Sequence, residues 1–270
     1  MLSLSKDAGR AFQAACIFIC LVLVCSPANA GLTRAQLNSV GVFPPHGATL
    51  PPALLFDDLG GKPLSVSQAL GSTPAVVLFT DFACKTLCGP ILTMTSAALV
   101  QTGLIPGQSF HLLVIGMRPK SAAARARAFV DPQLNPTLAG ATRILLGNAP
   151  AVAAATRALG YRYVYDAQND QFAHPTAAFV LTRAGKLTAV LSALGLRGPD
   201  LRLALVSAGE GQVGTIADRL RLLCYCYDPE TGIYSASIGR IIDAACLVTV
   251  LMLGGWFLLL RRRERSARRT

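Results

Sequence analysis

The run Ala75 to Thr80 (AVVLFT) leads within four residues to the motif Cys84-Lys85-Thr86-Leu87-Cys88-Gly89-Pro90, and helical spacing follows directly. A continuous apolar run of strand length has no polar face to offer water, so other elements must cover it on both sides. Phe110 to Met117 (FHLLVIGM) is a second run of the same kind. Two such strands with helical segments between them require a layered α/β sheet.

The rest of the chain supplies the covering elements. Ala53 to Asp57 and the GGKP turn at Gly60 to Pro63 suggest a small hairpin. Ile91 to Thr102 places Ile91, Met94, Ala98 and Leu99 on one side of a helix that Gly103 stops. Ser121 to Val130 and Ala149 to Leu159 read as further helices, with a short segment at Ile144 to Leu146 between them. Tyr161 to Tyr165 alternates. Ala177 to Leu181 and Leu187 to Leu194 form a hairpin across Arg183 to Lys186, and Pro199 to Ser207 closes the domain as a helix. A strand, a cysteine motif opening a helix, a βαβ unit and a closing hairpin is the element order of a thioredoxin-like fold, with a mixed sheet flanked by helices.

The apolar excess of the chain, 52% hydrophobic against 14% charged, collects at its two ends. Lys6 and Arg10 precede the apolar run Ala11 to Cys25, and Ala28 and Ala30 form an A-x-A pair, the pattern of a signal peptide cleaved after Ala30. Near the other end, Ala244 to Leu260 carries no charge, and extended outward to 238 the stretch is long enough for a membrane helix. Arg261, Arg262, Arg263, Arg265, Arg268 and Arg269 follow at once and belong on the cytoplasmic side. The expected division is a signal peptide at 1–30, an extended Pro-rich lead-in at 31–52, a thioredoxin-like domain at 53–208, a juxtamembrane segment at 209–237, a single transmembrane helix at 238–260 and a basic tail at 261–270. The main domain then faces the periplasm from the inner membrane. Six Arg against one Glu in the tail, and Lys6 and Arg10 against Asp7 in the leader, leave only about +5 of the net +11 for everything between. With no dense basic patch, the charge reports topology, and nucleic-acid binding is not expected.

Of eight cysteines, Cys16, Cys20 and Cys25 belong to the leader and Cys246 to the membrane helix. Cys84, Cys88, Cys224 and Cys226 remain in an oxidising compartment. Each pair is too tightly spaced to staple distant parts of a fold, which favours redox or metal chemistry, although a structural disulfide also suits Cys84 and Cys88. Cys84 falls near a helix N-terminus, where free N–H groups favour a thiolate, and one helical turn brings both sulfurs to one ion. Two thiolates suit soft Cu(I). His174 lies immediately before the strand Ala177 to Leu181, in a loop that faces the cysteine-bearing helix start in this fold. An imidazole there is the harder third ligand that Cu(II) needs. Cys224 and Cys226 form a second, accessory candidate for Cu(I), with Asp228 beside them, and the segment equally suits packing of its tyrosines at the membrane surface with the thiols incidental. Asp81 is placed to tune the Cys84 thiol and equally suits an ordinary strand-end role, while Asp166 and Asp170 are in reach to orient the His174 ring but read chiefly as turn residues. His46 and His111 read as solvated or structural.

These residues resemble the SCO/SenC family of copper chaperones for cytochrome c oxidase assembly. The resemblance runs from about Gly47 to Leu196, through GATLPPALLFDDLGGKPLSV, AVVLFTDFACKTLC and LGYRYVYDAQNDQFAHPTAAFVLTRAGKL, and His174 follows Cys88 by 86 residues. The Cys224-Tyr225-Cys226-Tyr227-Asp228 segment is similar to the C-Y-x-Y-D segment of a membrane-anchored branch of that family. The resemblance implies copper, Cu(I) or Cu(II), held by Cys84, Cys88 and His174. It also implies a membrane-embedded oxidase subunit as partner, together with other periplasmic copper or thiol carriers. Two departures stand out. Gly89 intervenes before Pro90, and Arg118-Pro119-Lys120-Ser121 replaces an acidic stretch, which suggests a basic loop beside the thiols. The competing reading is a thiol–disulfide reductase using Cys84 and Cys88 as its redox pair without need of His174. A peroxidase fits least, because the Thr-x-x-Cys site with its arginine is missing.

Overall fold

The computed structural model describes residues 31–119, 121–210, 214–215, 225–228, 233–236 and 246–256. Its centre is a seven-stranded sheet. In chain order the strands are β2 (Leu55–Asp57), β3 (Pro63–Ser65), β4 (Ala75–Thr80), β5 (His111–Gly116), β6 (Thr142–Leu146), β10 (Ala177–Leu181) and β11 (Leu187–Ser192), and in space they run β11-β10-β4-β5-β6-β2-β3. The three central strands β4, β5 and β6 are parallel, with Val77 opposite Leu113 and Leu113 opposite Arg143. β10 joins β4 antiparallel, with Phe179 opposite Val77, and β11 completes the hairpin with a bulge at Val180 and Leu181. This is the thioredoxin-like mixed α/β arrangement.

The continuous apolar runs are explained by what covers them. Successive strand side chains point to opposite faces, and here each face has its own core. Val76, Leu78, Leu112 and Val114 pack with α3 (Cys88–Gln101) and α6 (Gly198–Ala208), through Leu92, Leu99, Leu201 and Leu205. Val77, Phe79, Leu113 and Ile115 pack on the other face with α2 (Val66–Leu70) and α5 (Ala149–Ala158), through Leu70 and Val152. All six residues of β4 are buried. α4 (Ala123–Val130) adds Ala126 and Val130 to the first core.

The lead-in departs from the extended form expected of it. Thr33 caps the helix α1 (Arg34–Asn38) through a capping box with Gln36. β1 (Gly41–Val42) then pairs antiparallel with β7 (Tyr161–Arg162). Gly160, at φ +65°, makes that approach possible, because a Cβ there would stand 2.0 Å from the Phe43 carbonyl oxygen. The lead-in thereby fixes the strand that begins with Tyr161. A further hairpin, β8 (Val164–Asp166) with β9 (Gln171–Ala173), forms its own two-stranded sheet immediately before His174.

Beyond the domain, β12 (Tyr225–Asp228) and β13 (Ile233–Ala236) pair antiparallel, with Cys226 opposite Ser235. The leader 1–30, Cys224 and the tail 261–270 lie outside the described residues. Of the span 238–260, residues 246–256 are described, and they form a helix with Leu251, Met252 and Trp256 exposed. Among the described residues no helix is long and apolar enough to cross a membrane.

Candidate metal centre

The loop from Asp81 to Leu87 carries the first cysteine out of the buried strand β4 and into α3. Asp81 organises it: its carboxylate accepts the Ala83 N–H at 2.9 Å, and its carbonyl accepts the Cys84 N–H at 2.9 Å. Cys84 is half-buried, while Cys88, the first residue of α3, has no exposed surface. Both thiols are free. Pro90 sits in the first turn of α3, where its missing N–H costs no helical bond.

The two thiols have opposite electrostatics. Burial raises the Cys84 pKa, but hydrogen bonds from Cys88 and Thr86 outweigh it and hold the thiol down at about 7. Burial pushes Cys88 up to about 12, and its bond to Cys84 adds to the rise. The buried Thr80 hydroxyl acts on Cys88 in the lowering direction without offsetting that rise. Donors given to one sulfur at the expense of the other therefore make Cys84 the thiolate and Cys88 the proton holder. Alkylation by iodoacetamide, followed residue by residue by mass spectrometry, should show this directly. Because the Cys84 pKa is lowered, its rate should rise with pH to a half-maximum near 7. Cys88 should stay unmodified through pH 9 in the folded chain, and equal labelling of both at pH 7 would contradict the assignment.

His174 comes to the same place from 86 residues away: its Nε2 lies 3.1 Å from Cys88 Sγ. Its other nitrogen, Nδ1, is 2.8 Å from the Tyr161 hydroxyl and 3.1 Å from the Pro175 carbonyl oxygen. Tyr161 donates its own O–H to that carbonyl at 3.0 Å. A carbonyl only accepts, so Nδ1 is the protonated nitrogen and Nε2 presents a lone pair to the Cys88 thiol. Burial lowers the His174 pKa below its ordinary value, so the ring is neutral at pH 7, the form that ligates a metal. A pocket of about 190 Å³ opens over this group, lined by Cys84, Thr86, Leu87, Gln171, Phe172, Ala173 and His174.

The donor set fits copper in kind, with two sulfurs for Cu(I) and one imidazole nitrogen that also suits Cu(II). Among the described residues no three His, Cys, Asp or Glu side chains stand closed around a common point. A metal taken up by Cys88 and His174 would have to displace the Cys88 thiol proton.

A scan against protein-family models finds no match, and neither does a search of curated protein sequences. Solved structures do match. A proposed electron transfer protein from Aquifex aeolicus VF5 superposes with a TM-score of 0.50 at 16% identity, over 63% of this chain and 97% of that one. The likeness is one of fold. Arabidopsis thaliana ScoI with copper bound matches at TM-score 0.45 and 13% identity, over 52% of this chain and 85% of that one. A SCO1/SenC family lipoprotein from Bacillus anthracis str. Ames matches at TM-score 0.45 and 17% identity, over 60% and 89%.

Several candidate roles change in the structure. Asp166 and Asp170 do not touch the His174 ring. Asp166 accepts from the Gln168 and Asn169 backbones and from the Asn169 amide, closing the β8–β9 turn, while Asp170 holds Arg118 at 2.7 Å. Arg118 does not form an open basic loop beside the thiols. It turns inward and meets Asp81 with two bonds, Nε to Oδ1 at 3.1 Å and Nη2 to Oδ2 at 2.9 Å. The residue that orients His174 is Tyr161, which along the chain is one of an alternating set. Its signal was its place at the head of that set, two residues after the helix α5 ends near Leu159. His111 pairs with Thr73 at 2.7 Å, and His46 is exposed.

Proposed function

We propose that this chain is a copper-binding protein of the SCO/SenC family that assists assembly of the copper centre of cytochrome c oxidase by delivering copper. Cys84, Cys88 and His174 are the ligands in this reading. The observation that carries it is the 3.1 Å approach of His174 Nε2 to Cys88 Sγ, with the ring's other nitrogen already held by Tyr161 and Pro175. Metal-ligating histidines commonly have that second partner, which fixes the tautomer. Copper is the cargo, and the protein's own work is to hold two sulfurs and one nitrogen in a half-open pocket from which a partner can take the ion.

The same reading places a signal peptide at 1–30, a membrane helix at 238–260 and the copper domain on the periplasmic face of the inner membrane. The apolar run, the exposed helical residues 246–256 and the arginine tail support it. Tethering confines the protein and a membrane-embedded oxidase subunit to one surface and raises their effective concentration. Cys224 and Cys226 serve as an accessory Cu(I) clip between domain and membrane.

A second reading, thiol–disulfide reduction of a partner's cysteines, is favoured by the split thiol pKa values near 7 and 12. Cys84 as thiolate attacks the partner disulfide, Cys88 then resolves the mixed disulfide, and the partner leaves with two thiols while Cys84 and Cys88 become the disulfide. Copper stoichiometry on the reduced full chain distinguishes the readings. One tightly held copper per domain, lost in the Cys84→Ala/Cys88→Ala variant, is expected, with any further copper tracking Cys224 and Cys226. No difference between the two proteins would leave the reductase as the better account.

A further inference from the structure

We propose that Arg118 is a positioning residue of this site: it ties the hairpin leading to His174 to the loop that carries Cys84 and Cys88. The inference rests on the reading of Cys84, Cys88 and His174 as the copper ligands. Among the described residues β8 and β9 pair with each other and share no ladder with the seven-stranded sheet. Side chains must therefore decide where the hairpin sits relative to the cysteine loop.

Arg118 leaves the sheet just beyond β5 and reaches both parts. On the cysteine side its fork closes on Asp81, which is 1% exposed and also accepts the Ala83 N–H. On the hairpin side Nη1 donates to Asp170 Oδ1 at 2.7 Å and Nη2 to the Asp170 carbonyl at 2.8 Å. Tyr165 of β8 donates to the same Asp170 carboxylate at 2.5 Å. The guanidinium carbon stands 5.6 Å from the Phe172 ring centre on β9 and 5.9 Å from that of Tyr165. Arg118 thus grips the turn and both strands of the hairpin, and its contact at Phe172 is two residues before His174. These four donated bonds, two of them to Asp81, need the planar guanidinium fork, and the three donors of a lysine ammonium cannot reproduce them.

Tyr161 holds the imidazole differently, through its hydroxyl at Nδ1 and at the neighbouring Pro175 carbonyl. The two devices have separate tasks: the Pro175 carbonyl and Tyr161 hold the ring at Nδ1, and Arg118 sets the distance between imidazole and thiols. Cu(I) is held by two thiolates, whereas Cu(II) calls on the nitrogen as well. A loosened hairpin should therefore weaken Cu(II) selectively.

Two variants of the full chain test this while sparing the buried carboxylate. Arg118→Lys leaves a charge for Asp81 without the fork, and Asp170→Asn removes the exposed carboxylate while keeping a residue that tolerates φ +46°. Cu(II) and Cu(I) affinities are measured by competition, with the sulfur-to-Cu(II) absorption band and the reduction potential as independent readings. The expected result is at least a tenfold loss for Cu(II) with Cu(I) within twofold. The potential then rises by about 59 mV for each tenfold selective loss. Wild-type affinities, band and potential in both variants would overturn the proposal, and so would an equal loss of both ions, which reports general loosening. His174→Ala runs alongside. If it leaves Cu(II) binding unchanged, the copper-site reading itself fails and this inference with it.

Discussion

Arg118→Ala should lower the unfolding free energy of the domain by about 3 kcal/mol, the low end of the range for breaking a buried ion pair from one side. The size follows from what is left behind. Asp81 is 1% exposed, so its charge cannot recover by hydration when the guanidinium goes, and only the Ala83 N–H remains on Oδ1. Arg118 itself is 21% exposed, which is why the low end applies. Its pKa stands above the ordinary value chiefly through its bonds to Asp81 and then Asp170, so it remains charged at every pH at which the domain is folded. Urea titration of the full chain, followed by near-ultraviolet circular dichroism, measures the loss. Asp81→Leu/Arg118→Met provides the control, because an apolar pair of similar volume buries no charge and should recover most of the stability. A loss below 1 kcal/mol for Arg118→Ala would class the pair with exposed ion pairs and show that water reaches Asp81 in the variant.

His174→Ala should divide copper chemistry from thiol chemistry. Loss of a mere orienting partner of a ligand costs 10–100-fold in metal affinity, and loss of the ligand itself should cost on the order of a hundredfold or more for Cu(II). Dithiol exchange should change much less, since the groups that set Cys84 near pKa 7 are Cys88 and Thr86, and His174 is not among them. Cu(II) titration and the rate of reduction of a small disulfide, measured on the same preparation, give both numbers. Collapse of thiol exchange with undiminished Cu(II) affinity would reverse the ranking of the two functions. The remaining partner of the ring, Tyr161, is 3% exposed and would stay packed against Phe79 and Phe179 in that variant, so the change should be local.

Much of the architecture was legible because it depends on short-range pattern. AVVLFT and FHLLVIG have no polar face, and the structure covers both faces of β4 and β5. The helix after Cys88-Gly89-Pro90 and its stop at Gly103, at φ +66°, follow from spacing and from a backbone conformation that glycine adopts freely. α1 was missed because five residues give too little periodicity to register, although its capping box, Thr33 with Gln36, was present to be read. The β8–β9 hairpin was missed because its turn, Ala167 to Asp170, looks like ordinary loop, and the left-handed Asp170 that closes it is not signalled by a glycine.

The candidate residues are legible along the chain alone: two thiols one helical turn apart, opening a helix behind a buried strand, and an imidazole placed before another strand. Those are properties of residue type and local spacing. Tertiary structure alone decided how the groups meet. The pairing of β10 with β4 brings the end of the His174 loop beside the cysteine loop, and Tyr161 reaches His174 only because β7 is pinned by the lead-in. It also decided the fate of the charges. Along the chain Arg118 stands 37 residues from Asp81 and 52 from Asp170, and nothing local marks the three as partners. A buried carboxylate demands a cation, and folding supplies one from the end of the neighbouring strand, so that Arg118 bridges two carboxylates beneath the site.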